Sequence, residues 1–224
     1  MNVKEEKNTK NIDSSLKKKK MNKIVYNVVK RVLDIVFSLL GMVILSPFFL
    51  LISIIIKLNS KGPVFFVHSR IGEKGKPIGI YKFRTMVENA EDLIKKFTPE
   101  QKEEFERCFK LENDPRVTKI GNFLRKTSLD ELPQILNILK GELSIIGPRP
   151  IIQAELDKYG DNKEKFLSVK PGLTGYWAAN GRSDTTYEER MEMELYYVDN
   201  MSFILDRKIF FKTILAVIKK EGAR

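Results

Sequence analysis

Residues 127–134 read "TSLDELPQ" and place two adjacent carboxylates, Asp130 and Glu131, just ahead of Pro133. Paired acids of this kind serve as acid and base, as ligands of a hard cation, or as a nucleophile towards phosphorus. Downstream, "GELSIIGPRP" holds Arg149 between two prolines. A residue before proline is kept extended, so this guanidinium is aimed rather than free. The runs "VKPGLTGYW" and "NGRSD" add Pro171, Gly172, Gly175 and Arg182 in irregular backbone. Single arginines in loops are ordinary surface charges. A carboxylate pair with several fixed cations points instead to phosphoryl chemistry. Cys108 is the only cysteine and His68 the only histidine, which excludes disulfide scaffolds and Cys/His metal centres. A reducing compartment follows. Cys108 reads as a packing residue and His68 as a hairpin surface residue with no assigned role.

The elements that must position these groups can be read in outline. Ser128-Leu129-Asp130-Glu131 fits a capping box, but with Ser128 as cap Pro133 falls where an amide is needed. With Asp130 as N-cap, Pro133 takes the third helical position, and Leu132, Ile135, Leu136 and Leu139 form the buried face. That helix N-terminus would keep Asp130 ionised and favour a nearby phosphate. Such a cap is a complete structural explanation of Asp130, though not of Glu131 beside it. "PVFFVHSRIG" and "IGIYKFRTMV" around "EKGKP" predict a β-hairpin. Its alternation sets Lys82 and Arg84 on one face, towards an anionic substrate, with Tyr81 and Phe83 on the other. "ENAEDLIKKF", "PEQKEEFERCFKL" and "YEERMEMELYYVDN" predict charged helices with apolar stripes. "FILDRKIFFKTILAVIKK" is basic and amphipathic, suited equally to a membrane surface and to the domain core. No internal repeat is present.

The run from Val32 to Ile56 is apolar on every face, which an ordinary soluble helix is not. At 1.5 Å per residue it is long enough to cross a hydrocarbon core of about 30 Å. Lysines and arginines lie on both sides, so both flanks read as cytoplasmic. Pro47 has no amide for the carbonyl of Val43, and Ser46 can satisfy freed backbone locally. A re-entrant helix broken at Ser46-Pro47 fits both facts; a kinked single-pass anchor is the alternative. Asp34 is expected to pair with Lys30 and Arg31 at the interface.

Lys+Arg 40 against Asp+Glu 29 gives a net charge of +11. Residues 1–31 hold ten of those cations against three acids. Basicity concentrated beside an apolar run indicates anionic membrane lipids, and no zinc-finger or RNA-binding signature supports a nucleic acid partner. The chain thus divides into a basic disordered tail (1–22), a re-entrant membrane helix (23–61) and a cytosolic catalytic domain (62–224). The fold class is α+β, mainly helical with a short hairpin.

The chain resembles the small monotopic phosphoglycosyl transferases, the bacterial sugar transferases that begin surface-glycan and glycoprotein assembly. The likeness is carried by Lys30-Arg31 with Asp34, Ser46-Pro47, "GPVFF" at 62–66 and "KFRTM" at 82–86. It continues through "DPRVTKIGNFLRKTSLDELPQILNILKGELSIIGPRP" at 114–150 and "KPGLTG" at 170–175. The resemblance implies transfer of a sugar-1-phosphate from a UDP-sugar to a polyprenyl (undecaprenyl) phosphate, with release of UMP. It implies Asp130 as the nucleophile of a covalent phosphosugar intermediate and Mg²⁺ at the same carboxylate. Glu131 becomes the partner acid, acting as base or in positioning. Lys82, Arg149 and Arg182 become active-site cations, and Asp206 a further acid of the pattern. It also implies the cytoplasmic face of the cell membrane, with downstream glycosyltransferases as partners in an exopolysaccharide, capsule or glycoprotein pathway. The chain resembles the minimal form, without the added N-terminal spans of larger relatives. A catalytically silent membrane adaptor is the competing class, and it would need neither the acid pair nor Arg149.

Overall fold

The computed structural model describes the backbone of residues 3–108, 111, 114–181 and 185–219. Side chains are described for 23–105, 111, 114–181, 185–216 and 219. Helix α1 (Val3–Asn59) carries the apolar run and continues through Pro47. The carbonyl of Val43, deprived of an amide by Pro47, accepts instead from Ser46 Oγ at 2.8 Å. Tyr26, Asp34, Ser38, Ile52 and Ile56 are buried, a helical spacing that lays one stripe of α1 on the rest of the protein. The other faces carry Val43 (74% exposed), Ile44 and Leu50. Only 11% of the most apolar window is buried, so α1 is no core helix of a soluble fold.

The hairpin forms where alternation predicts it. Strands β1 (Phe65–Ile71) and β2 (Pro77–Phe83) pair antiparallel, from Phe65 opposite Phe83 to Ile71 opposite Pro77. Helices α2 (Ala90–Ile94), α3 (Pro99–Cys108) and α4 (Lys119–Lys126) follow. Thr118 caps α4, its Oγ1 accepting from Gly121 N at 2.8 Å. A 3₁₀ turn (Leu129–Gln134) leads into α5 (Ile135–Lys140).

Beyond α5, β3 (Ser144–Ile146) pairs parallel with β4 (Gly172–Thr174), a pairing without a sequence signal of its own. Between them lie α6 (Gln153–Asp157) and α7 (Lys163–Leu167), and α8 (Tyr176–Asn180) follows. Helices α9 (Tyr187–Asn200) and α10 (Phe203–Ile218) complete the described chain. Backbone meets backbone where "GPRP" crosses "KPGLTG": a Cβ on Gly172 would lie 2.1 Å from Gly147 N. Both glycines are demanded by that close approach.

The core comprises small clusters that join elements distant in sequence. Ile52 and Ile56 of α1 pack with Phe83 of β2 and Leu124 of α4. Ile80, Ile138 and Leu143 join β2 to α5. Asn137 is fully buried and replaces a missing strand: its Oδ1 accepts from Tyr81 N and its Nδ2 donates to Gly79 O.

Three polar ties fix the stretch of α1 from Tyr26 to Asp34. Asp206 of α10 accepts from Tyr26 Oη, Lys30 Nζ and Tyr197 Oη at 2.8, 2.6 and 2.8 Å. Arg31 donates to the carbonyls of Ile138 and Leu139, at the C-terminus of α5. Asp34 accepts from Ser144 Oγ and Ile145 N. The expected pairing of Asp34 with Lys30 and Arg31 is therefore absent. Both cations find better partners across the interface, leaving the buried carboxylate to satisfy β3.

Candidate active site

Strand β2 and the 3₁₀ turn bring the first charges together. Lys82 Nζ lies 2.7 Å from Glu131 Oε1 and 3.8 Å from Asp130 Oδ2, one ammonium bridging both acids. The capping expectation for Asp130 does not hold. Helix α4 ends at Lys126, Ser128 two residues later takes the left-handed conformation (φ 56°), and a 3₁₀ turn begins directly after it. With Asp130 inside that turn and α5 starting only at Ile135, the helix phase differs from the expected one. Gln134, Ile135, Asn137 and Ile138 are buried in place of Leu132, Leu136 and Leu139.

Asp130 is 8% exposed, and burial pushes its carboxyl up to about 6, a rise augmented by Glu131 and opposed by Lys82 and Arg125. This reverses the expectation of a carboxylate kept readily ionised, because desolvation outweighs the neighbouring cations. Arg125, whose Nε donates to Thr85 Oγ1, is a cation that sequence reasoning missed. It lies five residues before Asp130 on α4, and nothing in the spacing marks it.

His68, Arg70 and Lys82 share one face of the hairpin. Arg70 Nη1 donates to His68 Nε2, so the imidazole is neutral. Burial, then Arg70, Lys82 and Arg149, drive its pKa down to about 4. One imidazole thus feels three cations, which places Arg149 within electrostatic reach of the group around Lys82. His68 is accordingly part of the site's surroundings, half-buried rather than a plain surface residue.

Arg149 is exposed, with its guanidinium 5.8 Å from the centroid of Trp177. Its backbone N–H is held by Glu194 Oε1 at 3.0 Å. Arg190 stacks on the same ring at 4.7 Å and pairs with Glu155. Glu194 is fully buried, and desolvation raises its carboxyl to about 7. Trp177, Arg190 and Glu194, which no motif flags, therefore support the arginine that the "GPRP" spacing does flag.

Arg84, expected on the substrate face, serves another purpose. It lies just past β2 and turns to the end of α1, donating to Ser60 O at 2.8 Å and to Lys61 O. Gly62, at φ 109°, leaves the space this guanidinium occupies. Arg182 lies outside the described residues.

Among the described residues no group of three metal-ligating side chains occurs. Magnesium does not need one, since it is held by one or two carboxylates together with substrate phosphates. Asp130 and Glu131 present such hard oxygens, with Lys82 now covering their charge.

The bacterial sugar transferase family matches residues 25–220. The exopolysaccharide production protein ExoY of Sinorhizobium fredii is 44% identical over 197 residues, covering 87% of each chain. An undecaprenyl-phosphate galactose phosphotransferase of Salmonella typhimurium is 44% identical over 87% of this chain but only 41% of its own length. A UDP-glucose:undecaprenyl-phosphate glucose-1-phosphate transferase of Escherichia coli is 41% identical over 85% of this chain and 40% of its own. The chain therefore spans nearly all of one relative and less than half of the other two.

Proposed function

Since the chain belongs to the bacterial sugar transferase family, we propose that it moves a sugar-1-phosphate from a UDP-sugar to undecaprenyl phosphate at a membrane. The observation that carries the reading is the Lys82 ammonium bridging two adjacent carboxylates, one of them buried. A structural cap would need one acid, and a silent adaptor would need neither.

Asp130 attacks the phosphorus that bears the sugar. The bond from that phosphorus to the UMP oxygen breaks, and UMP leaves with the electron pair. An oxygen of the polyprenyl phosphate then attacks the same phosphorus and frees Asp130 as a carboxylate. Two half-reactions let a soluble donor and a membrane-borne acceptor use one centre in turn. Lys82 and Arg149, with Arg182, offset charge on the diphosphate; Glu131 holds Lys82 and acts as base or positioner. Asp130 and Glu131 would hold Mg²⁺, which supplies charge neutralisation when bound.

The apolar faces of α1 belong in a bilayer, and the helix is re-entrant at Ser46-Pro47. Contacts of both Tyr26 and Ile56 with the same globular body support flanks that share the cytoplasmic side. Incubation with a UDP-sugar and no acceptor should leave a sugar-phosphate mass on the peptide containing Asp130 and release one equivalent of UMP. Turnover in Asp130→Asn, or an adduct elsewhere, would refute the assignment.

A further inference from the structure

Lys23, Lys30, Arg31 and Lys170 converge on a cleft of about 80 Å³ where the part of α1 just before its apolar run meets the segment before β4. None of Asp130, Glu131, Lys82 or Arg149 lines it, so it is separate from the proposed reactive centre. Its cations exceed the acids available to them. Lys30 is spent on Asp206, while two of the five N–H groups of Arg31 are spent on carbonyls. Asp34 is turned inward to Ser144 and Ile145, which leaves Glu73 as the other acid in the lining. The side chains of Lys23 and Lys170 make no hydrogen bond or ion pair among the described residues.

Two of these cations also lie close together. A Cβ on Gly141 would be 3.3 Å from Arg31 Nη2 and 3.7 Å from Lys170 Nζ, so both nitrogens border one point. Like charges so placed repel unless an anion lies between them. The volume suits several waters or one phosphate group. Location narrows the choice further. Lys23 to Arg31 form the last turns of α1 before the apolar run opens at Val32, the level of lipid head groups if those faces are embedded.

We infer that this cleft holds a phosphate group carried on a lipid. Phosphate accepts from the unspent donors of Arg31 and from both lysines, while the acyl or prenyl chain lies along the exposed apolar face of α1. The inference rests on membrane placement of α1 and is independent of the chemistry at Asp130.

Full-length protein in phosphatidylcholine nanodiscs doped with phosphatidic acid, released into native mass spectrometry, tests it. The expected result is one retained phosphatidic acid, reduced about fivefold in Lys170→Gln, the effect of one lysine near a phosphate surface. Lys96→Gln, an exposed lysine elsewhere, removes the same charge and should retain the lipid. Lys23→Gln is a second lining variant if Lys170→Gln fails to fold. Displacement by added inorganic phosphate would identify a bare-phosphate reader, and displacement by a polyprenyl monophosphate would identify an acceptor-loading site. Resistance to both would identify a glycerophospholipid; the last two outcomes support a lipid-borne phosphate, and the bare-phosphate outcome overturns it. No retained lipid, or equal loss in Lys96→Gln and the lining variants, would overturn it.

Discussion

Burial makes ionised Asp130 a cost to the fold, because desolvation outweighs the cations beside it. Its carboxyl stands near 6 in the folded protein against an ordinary 3.8, so folding favours the protonated form. That contribution is complete below 3.8 and is gone once pH has risen through about 6. Asp130→Asn, which never ionises, should therefore be more stable than the parent above that range, by up to about 3 kcal/mol. The advantage should fade towards pH 4, and urea unfolding at pH 8 and pH 4 measures both ends. Activity of the parent should fall on acidification through about 6, as the proposed nucleophile is neutralised. Asp130, Glu131 and Arg149 were singled out in the sequence by motif spacing, and Lys82 by strand alternation. Arg125, Trp177 and Glu194 were not, because their roles arise only when α4, α8 and α9 pack beside those residues. Arg84 misled for a related reason: strand alternation stops one residue short of it, and the end of α1 claims its guanidinium.

At the scale of elements, α5 shows how burial overrides pattern. Its apolar spacing gave a helix correctly, yet the face turned inward is the one bearing Asn137. The shift follows from the 3₁₀ turn before it, whose winding differs from an α-helix and which no propensity marks. Asn137 satisfies the open edge of β2 and also donates to Glu142. Asn137→Ala would strand a buried amide and a carbonyl, at a cost of about 3 kcal/mol. Chemical denaturation should register that loss, and Lys82 should lose its register against Glu131, with reduced turnover. The hairpin and the helices α9 and α10 were readable from periodicity alone. The β3–β4 pair was not, since three-residue strands carry too little alternation to be seen.

For the molecule as a whole, the long apolar run was the most legible feature, and its docking the least. Cysteines introduced at Val25 and Asn59, both exposed, should react together with a membrane-impermeant maleimide only from the cytoplasmic side of inverted vesicles. Labelling from opposite sides would restore the single-pass alternative. The stripe of α1 that contacts the protein has a further consequence. Ile52 and Ile56 close the cluster around Phe83 and Leu124, while Tyr26, Arg31 and Asp34 complete hydrogen bonding in α10, α5 and β3. Residues 62–224 alone would therefore expose an open flank with orphaned donors and carbonyls. Expressed without α1 they should aggregate or bind a hydrophobic dye, and should fail to turn over even when donor and acceptor are supplied in detergent. What sequence alone presents as a membrane anchor is, in three dimensions, one wall of the protein, and trimming it away should cost the remainder its integrity rather than free it into water.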